Sequence, residues 1–308
     1  MPRLVASVLL LGCLGLLVPA GSGCSGKKSP PTIAEMLTRA RKTKTPEAKA
    51  RELAKVAAVQ AGADKTGAAK TLAEAASAIP ADGQPLACVP VLVEIATTYA
   101  TIGERASGQK AVATAIEMTK RLEDPLGRAQ LLAAIGAVQG SREQGLGDRA
   151  AAEATLAEAA TLAGSDVPER FRGKALAAVA SGYADAGLAT AAKDMIGTLE
   201  DLARGLTDLR PKAEAFAAAA AVRAAAGERE AAENLLAEAA KAAKAIDDFP
   251  GNRAYALVAV AKAFKAAGDQ KGAAALLAEA EKAASKVGDP QQQQDALRAV
   301  RQLQAGLK

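Results

Sequence analysis

The chain has 308 residues, of which 82 are alanine and none is histidine or tryptophan. Without imidazole there is no Ser/His/Asp triad, no Cys/His nucleophile pair and no zinc site that uses histidine. The formal net charge of +5 is spread along the chain and the seven Phe and Tyr residues are scattered, so the clustered cations and stacking aromatics of nucleic-acid-binding proteins are missing. Alanine and leucine dominate where a sheet protein would have β-branched and aromatic runs, which favours an all-α fold.

The N-terminal segment, residues 1–23, is typical of a secretory signal peptide that is removed on export. Arg3 precedes an apolar stretch over 4–18, and small residues follow at 20–23. The stretch is too short to cross a hydrocarbon core of about 30 Å comfortably, and the small residues form a cleavage pattern.

Residues 21–24, Gly-Ser-Gly-Cys, resemble a bacterial lipobox, which implies that Cys24 carries lipid and becomes the mature N-terminus. Cys13 also follows a lipobox-like segment but lies inside the apolar stretch. The polar, Pro-containing segment 24–31 then predicts a lipidated cysteine followed by a flexible tether. The prediction is a membrane-anchored lipoprotein that faces the periplasm or the cell exterior; the alternative is ordinary cleavage near Ala20 or Gly23 and secretion as a soluble protein.

Cys88 is the one remaining cysteine once Cys13 is cleaved off and Cys24 is acylated. No disulfide can then form within one chain. We expect Cys88 to be a small buried residue rather than a reactive thiol.

The rest of the chain repeats with a period near 40 residues. One set of prolines recurs at intervals of 39 to 43 residues. They are Pro46, Pro85, Pro125, Pro168, Pro211, Pro250 and Pro290. Each is followed by a large apolar residue, in order Leu53, Leu92, Leu132, Leu176, Phe216, Leu257 and Leu297. This periodicity predicts an all-α solenoid of about six helical hairpins over 46–290.

The sixth unit shows how one hairpin is encoded. Leu257, Val260, Ala261 and Phe264 follow helical spacing, and Gly268 ends that leading helix. A trailing helix with the same kind of spacing begins directly afterwards. The first repeat lacks the turn glycine, and the third repeat has about four extra residues around 141–144.

The two ends predict caps for this stack. Thr32 and Glu35 have capping-box spacing and predict a short capping helix within 32–45. Residues 291–308 continue the leading-helix register but carry glutamine and arginine on the outer side, which predicts a C-terminal capping helix that is solvated on one face.

These units resemble the tetratricopeptide repeat, with a period of 39 to 43 residues rather than about 34. The match includes Tyr99, Tyr183 and Phe264 four residues before the turn glycines Gly103, Gly187 and Gly268. The resemblance implies that partners bind to the inner face of the leading helices. The partner-binding residues that it implies are Arg51, Gln130, Lys174, Ser181, Glu214, Tyr255, Val258, Lys262 and Lys265.

Two other patterns suggest chemistry but have simpler explanations. Residues 21–26 spell G-x-G-x-x-G, but a leader precedes them and Pro30 follows, so a phosphate-binding loop is not expected. Glu74, Glu158, Glu238 and Glu279 recur at one place on the trailing helices, where solvated helix faces explain them better than acid/base or metal chemistry.

The sequence therefore predicts a non-catalytic scaffold or adaptor without cofactor, metal or nucleic-acid partner. It would bind a protein or peptide of the cell envelope through the solenoid and the membrane through its N-terminal lipid. The alternatives are an amphipathic protein that binds membranes or lipids, and an enzyme that uses helix carboxylates. The identity of the partner, the oligomeric state and the choice between inner and outer membrane stay open.

Overall fold

The computed structural model describes residues 30–247 and 249–307, which contain fourteen α-helices and no strand. The helices are α1 Ile33–Arg41, α2 Pro46–Gln60, α3 Lys65–Ala78, α4 Pro85–Ile102, α5 Arg105–Thr119, α6 Pro125–Gly140, α7 Arg149–Ser165, α8 Glu169–Asp185, α9 Ala189–Gly205, α10 Leu209–Ala225, α11 Arg229–Lys244, α12 Pro250–Ala266, α13 Gln270–Ala284 and α14 Pro290–Ala305. The predicted signal peptide, Cys24 and the tether up to residue 29 lie outside the described residues.

The prediction of an all-α solenoid of six helical hairpins with a closing helix is confirmed. The hairpins are α2/α3, α4/α5, α6/α7, α8/α9, α10/α11 and α12/α13, and α14 follows them. The six large residues that follow the first six repeat prolines are all buried, and each is at most 4% exposed. They are Leu53, Leu92, Leu132, Leu176, Phe216 and Leu257. Leu297 of α14 is half-buried.

The described residues form two compact units. The first unit contains residues 30–122 and 138–149, and the second contains 123–137 and 150–307. In the first unit α1 packs on α2, and α4 packs on both helices of the preceding hairpin and on α5. Helix α4 thereby covers an apolar face that the two helices of the preceding hairpin leave open.

The second unit repeats this order of packing. The leading helices α8, α10, α12 and α14 pack in succession, and each trailing helix from α9 to α13 also contacts the next leading helix. One continuous core of mostly Ala and Leu residues runs from α6 to α14. Small side chains allow close helix crossings in this core. At Gly182 of α8, an added Cβ would lie 2.8 Å from the carbonyl oxygen of Ala133 in α6.

The caps form as the local sequence requires. The Thr32 hydroxyl accepts from the Glu35 amide at 3.3 Å, and the Glu35 carboxylate accepts from the Thr32 amide at 2.7 Å, which completes the capping box. Hydrogen bonds from Thr32 also lower the pKa of Glu35. Thr45 caps α2, and Pro46 follows at the first helical position.

Helix α4 is the one described helix that is long and apolar enough to cross a membrane. Most of its apolar side chains are packed inside the fold, since Val89, Leu92 and Ile95 are each at most 2% exposed, although Leu86 in its first turn is 56% exposed. Cys88, at the start of the same helix, is a free and fully buried cysteine, as expected, and burial raises the pKa of its thiol. We therefore describe α4 as a core helix of the first unit.

Candidate functional site: the face of the leading helices

The leading helices of the second unit present equivalent residues side by side. Lys174 of α8, Glu214 of α10 and Tyr255 of α12 each lie two residues before the buried large residue of their repeat. Lys174 is exposed, and Glu214 and Tyr255 are half-buried. Because α8, α10 and α12 pack in succession, the shared register places these residues along one surface, which we call the leading-helix face.

Arg210 joins two of the predicted residues. Its Nε donates to Glu214 Oε1 at 2.9 Å, one helical turn further along α10. Its Nη1 donates to Asn252 Oδ1 of α12 at 3.0 Å, and the guanidinium carbon lies 5.3 Å from the centroid of the Tyr255 ring. The side chain of Arg210 is therefore held by both α10 and α12, and it orients Glu214 and Tyr255.

Arg210 and Asn252 were not predicted as site residues. The predicted residues all occupy fixed places relative to the large residue of their repeat, and neither Arg210 nor Asn252 occupies one of these places. The spacing of Arg210 and Glu214, i and i+4 on one helix, was the one local signal that pointed to this contact. The bond to Asn252 spans 42 residues, so it follows from the stacking of two repeats and not from local sequence.

The remaining predicted residues divide by exposure. Lys262 is exposed, and Gln130, Ser181 and Lys265 are half-buried. Val258 is 5% exposed and belongs to the continuous core, so its side chain is not available to a partner in this conformation.

The residue one position after the large residue is buried by neighbouring helices on α6 and α10. Ala133 and Ala217 occupy this place on α6 and α10, and they are 2% and 3% exposed. Because alanine lets the leading helices approach closely, this row forms part of the core and not the floor of an open groove. Ala177, at the same place on α8, is half-buried. The accessible part of the leading-helix face is therefore its row of polar residues together with half-buried alanines such as Ala177 and Ala221.

Arg51 belongs to the first unit and is exposed on α2. Its Nη2 lies 3.5 Å from the carbonyl oxygen of Ala87 in α4. This is a long contact across two successive leading helices, so Arg51 keeps most of its freedom to meet a partner.

Three of the four recurring glutamates of the trailing helices form ion pairs between helices. Glu74 pairs with Arg41 of α1 at 2.7 Å, Glu158 with Arg128 of α6 at 2.6 Å and Glu279 with Lys244 of α11 at 2.8 Å. The hydrogen bond from Arg41 lowers the pKa of Glu74. These carboxylates therefore stabilise neighbouring helices.

Two acids, one in each unit, have raised pKa values. Burial raises the pKa of Glu94 in the first unit and that of Asp185 in the second. Over the ranges 30–247 and 249–307, no three His, Cys, Asp or Glu side chains come together as metal ligands would.

Comparisons with known proteins add little to this description. No protein-family model matches the chain, and no curated protein sequence does. The chain is similar to the crystal structure of Ton1535 from Thermococcus onnurineus NA1, with 16% identity, a TM-score of 0.30, and coverage of 87% of this chain and 83% of that one. It is also similar to the assembly chaperone of RpL4, Acl4, residues 1–338, with 14% identity, a TM-score of 0.34, and coverage of 90% and 98%. Scores this low do not indicate a common function, so the fold assignment depends on the helices of the chain itself.

Proposed function

We propose that this protein is a non-catalytic scaffold or adaptor that binds another protein or peptide of the cell envelope. Stacked helical hairpins typically bind partners along an extended surface that successive repeats build together. The leading-helix face of the second unit is such a surface, and it carries Lys174, Glu214, Tyr255 and Lys262 in accessible positions.

The observation that carries the proposal is the position of Arg210 between Glu214 and Tyr255. Arginine and tyrosine are the residue types most enriched where protein interfaces gain their affinity. Arg210 is 39% exposed although it bonds two helices, so a partner meets side chains that are already ordered. Pre-ordering lowers the entropy that binding costs.

The location in the envelope is part of the same proposal. The apolar stretch over 4–18, the small residues after it and Cys24 support export followed by lipid attachment. The lipid would anchor the chain, and residues 25–31 would separate the helical repeats from the bilayer. Helix α4 is not assigned to this anchoring, because most of its apolar side chains are buried in the first unit.

Site-specific photocrosslinking in intact envelopes tests the binding surface. A photoreactive residue at position 255 or 174 should give a discrete adduct, and the same residue at the exposed position 233 of α11 serves as the control on a trailing helix. The substitution Arg210→Ala should weaken the adduct at position 255. Equal adducts at positions 255 and 233, or none at 255 and 174, would overturn the proposal.

Labelling with a radioactive fatty acid tests the anchor separately. The wild-type chain should incorporate palmitate, and the Cys24→Ala variant should not. Unchanged labelling of the variant would disprove lipid attachment at Cys24 without affecting the binding proposal. Flotation of residues 30–308 with liposomes completes the test, since binding by this fragment would favour the membrane-binding alternative.

A further inference from the structure

The basic residues are spread along the chain, but their excess over acidic residues is not. Residues 25–49 contain seven basic and two acidic residues, whereas residues 50–308 contain 31 basic and 32 acidic residues. Beyond residue 24, the positive net charge therefore lies entirely in residues 25–49, which we call the basic segment. It includes α1, the connection to α2 and the first turn of α2.

Three cations of the basic segment are free to meet a partner. Arg39 of α1, and Lys42 and Lys44 of the connection to α2, are exposed. Their side chains form no hydrogen bond or ion pair with another residue that the structure describes. Arg41, by contrast, is paired with Glu74 of α3 at 2.7 Å. The fold therefore uses one cation of α1 for its own packing and leaves its neighbours to the solvent.

The exposed face of α1 is polar. It forms a shallow depression that is lined by Ala34, Glu35, Thr38, Arg39 and Lys42. Its one acid, Glu35, already accepts a hydrogen bond from the Thr32 amide in the capping box. Because this face has no large apolar side chain to insert into hydrocarbon, it can attract a partner only through its charge.

The place of the basic segment in the chain identifies that partner. The tether from Cys24 to Thr32 spans at most about 28 Å when fully extended, so the proposed lipid at Cys24 would keep α1 close to the bilayer. Lys27 and Lys28 lie in the tether itself. Each cation near an anionic membrane surface adds about fivefold to the affinity. The basic segment has no aromatic residue, so it lacks the stacking platforms that single-stranded nucleic acids require.

We propose that the basic segment binds the anionic headgroups of the membrane, with Arg39, Lys42 and Lys44 as its contacting cations in the described part of the chain. The proposal rests on the envelope location and the lipid anchor that are proposed above. It gives the first helix a position at the bilayer surface that a flexible tether alone does not provide. The leading-helix face of the second unit takes no part in it.

Sedimentation with vesicles tests the contact. The probe is a fragment of residues 25–308, which lacks Cys24 and the apolar stretch but contains all fourteen helices. It should bind vesicles of phosphatidylcholine and phosphatidylglycerol mixed about 2:1, and it should be released in about 1 M salt, where the Debye length is about 3 Å. Pure phosphatidylcholine vesicles should bind none of it. The flotation test of the membrane-binding alternative uses these neutral vesicles, so the two results stay separate.

Equal binding to the mixed and the neutral vesicles, or no binding to either, would overturn the proposal. Poly-L-glutamate is tested in parallel. A fragment that binds this polymer but not the mixed vesicles would indicate a soluble acidic partner instead of the membrane.

Two matched triple variants locate the binding. Replacing Arg39, Lys42 and Lys44 with Gln should lower the affinity for the mixed vesicles by about a hundredfold. Replacing Lys193, Lys241 and Lys271 with Gln removes the same charge from exposed positions on α9, α11 and α13 and should have little effect. Equal losses in the two variants would show that only the net charge matters and would contradict a contact through the basic segment.

A fluorophore shows which part of the chain touches the vesicles. The one cysteine of the fragment, Cys88, is fully buried, so a thiol-reactive bimane can be attached selectively to Thr38→Cys on the exposed face of α1. Lipids with a spin-labelled headgroup should quench it there and should not quench it on Glu233→Cys of α11, which is also exposed. Equal quenching at both positions would rule out α1 as the contact.

The lipid anchor and the basic segment give separable results, because the fragment lacks Cys24. If the wild-type chain incorporates palmitate but the fragment does not bind the mixed vesicles, the anchor stands and the electrostatic contact is wrong. If the fragment binds as expected but the wild-type chain incorporates no palmitate, the contact stands without the anchor.

Discussion

The fifth and sixth hairpins of the solenoid have the same turn but different side chains above it. In α10/α11 the turn glycine is Gly227 with φ 82°, and in α12/α13 it is Gly268 with φ 88°. In each, the residue after the glycine donates its amide to the carbonyl of the residue four positions before the glycine, at 3.0 and 2.9 Å. That carbonyl belongs to Arg223 in one hairpin and to Phe264 in the other.

The two side chains stabilise different neighbours. The ring of Phe264 packs on its own hairpin, where Cδ1 would lie 2.5 Å from a Cβ added at Gly272 of α13. The Arg223 guanidinium bonds to Glu200 of the preceding hairpin, with Nη2 2.7 Å from Oε1, and to Glu228 of its own turn. The turn therefore depends on its glycine and backbone, whereas the side chain four residues earlier decides which helices are connected.

The Arg223 ion pairs are mostly shielded from water. Arg223 and Glu200 are 16% and 13% exposed. Burial opposes the charged form of Arg223, but hydrogen bonds to Glu228 and Glu200 outweigh this effect and raise the pKa of the guanidinium. An arrangement of this kind contributes little net stability when complete, yet the loss of one member is costly because it strands the other charge.

The largest effect is expected from Arg223→Met. The substitution keeps a long side chain but leaves the buried Glu200 carboxylate with Arg204 as its remaining partner, at 3.0 Å. The free energy of unfolding should fall by about 3 kcal/mol. Urea unfolding followed by circular dichroism measures the loss, and Arg229→Met at an exposed position of α11 is the control.

The double variant Arg223→Met with Glu200→Met separates the ion pair from simple packing. If the loss arises from a stranded charge, removing both charges should restore stability to within about 1 kcal/mol of the wild type. A double variant that is as unstable as Arg223→Met alone would show that the guanidinium stabilises the fold in another way.

The next largest effect is expected from the turn glycine with positive φ, which both hairpins share. Gly227→Ala and Gly268→Ala should each lower the free energy of unfolding by about 1–2 kcal/mol, because alanine is strained at positive φ. The two losses should be equal, since an added Cβ meets no atom within 4 Å at either position. Gly288→Ala, which also has open space but no positive φ, is the control and should not destabilise. Clearly unequal losses would mean that the side chains above the turns contribute to turn geometry.

The same pair of hairpins shows what could be predicted from the sequence. The helices, turns and buried large residues were predictable, because spacing such as Leu257, Val260, Ala261 and Phe264 is local and repeats along the chain. The placement of Val258 at an accessible site was not reliable, since close stacking of alanine-rich helices buries that place. The bond from Arg210 to Asn252 was missed, because it joins residues 42 positions apart whose proximity requires the stacked fold.

A smaller effect is expected from Gly272→Ala in the sixth hairpin. The corresponding position of the fifth hairpin, four residues after its turn glycine, is already alanine, Ala231. At position 272 a Cβ would lie 2.5 Å from the Phe264 ring and 2.4 Å from Asp269 Oδ2. We expect a loss of about 1 kcal/mol from overpacking. In a double-mutant cycle the loss should shrink when Phe264→Ala is also present, and an unchanged loss would show that the ring does not restrict this position.

The smallest effect is expected at a position where the fifth and sixth hairpins differ from the fourth hairpin, α8/α9. Nine residues after the large residue, α10 and α12 have Ala225 and Ala266, whereas α8 has Asp185. Asp185 is half-buried without a hydrogen bond or ion pair to another described residue, and burial raises its pKa above the ordinary 3.8.

A carboxyl group whose pKa is higher in the folded chain costs no stability while it is protonated in both states, well below its ordinary pKa of 3.8. As the pH rises through the raised pKa, the unfolded chain gains more from ionisation and the folded state loses stability. Asp185→Asn should therefore be more stable than the wild type at pH 7, and this gain should vanish by about pH 3 in urea unfolding experiments. Asp194→Asn on the exposed side of α9 is the control. A gain that is the same at both pH values would contradict a charge effect, because an isosteric amide then stabilises the helix for reasons unrelated to ionisation.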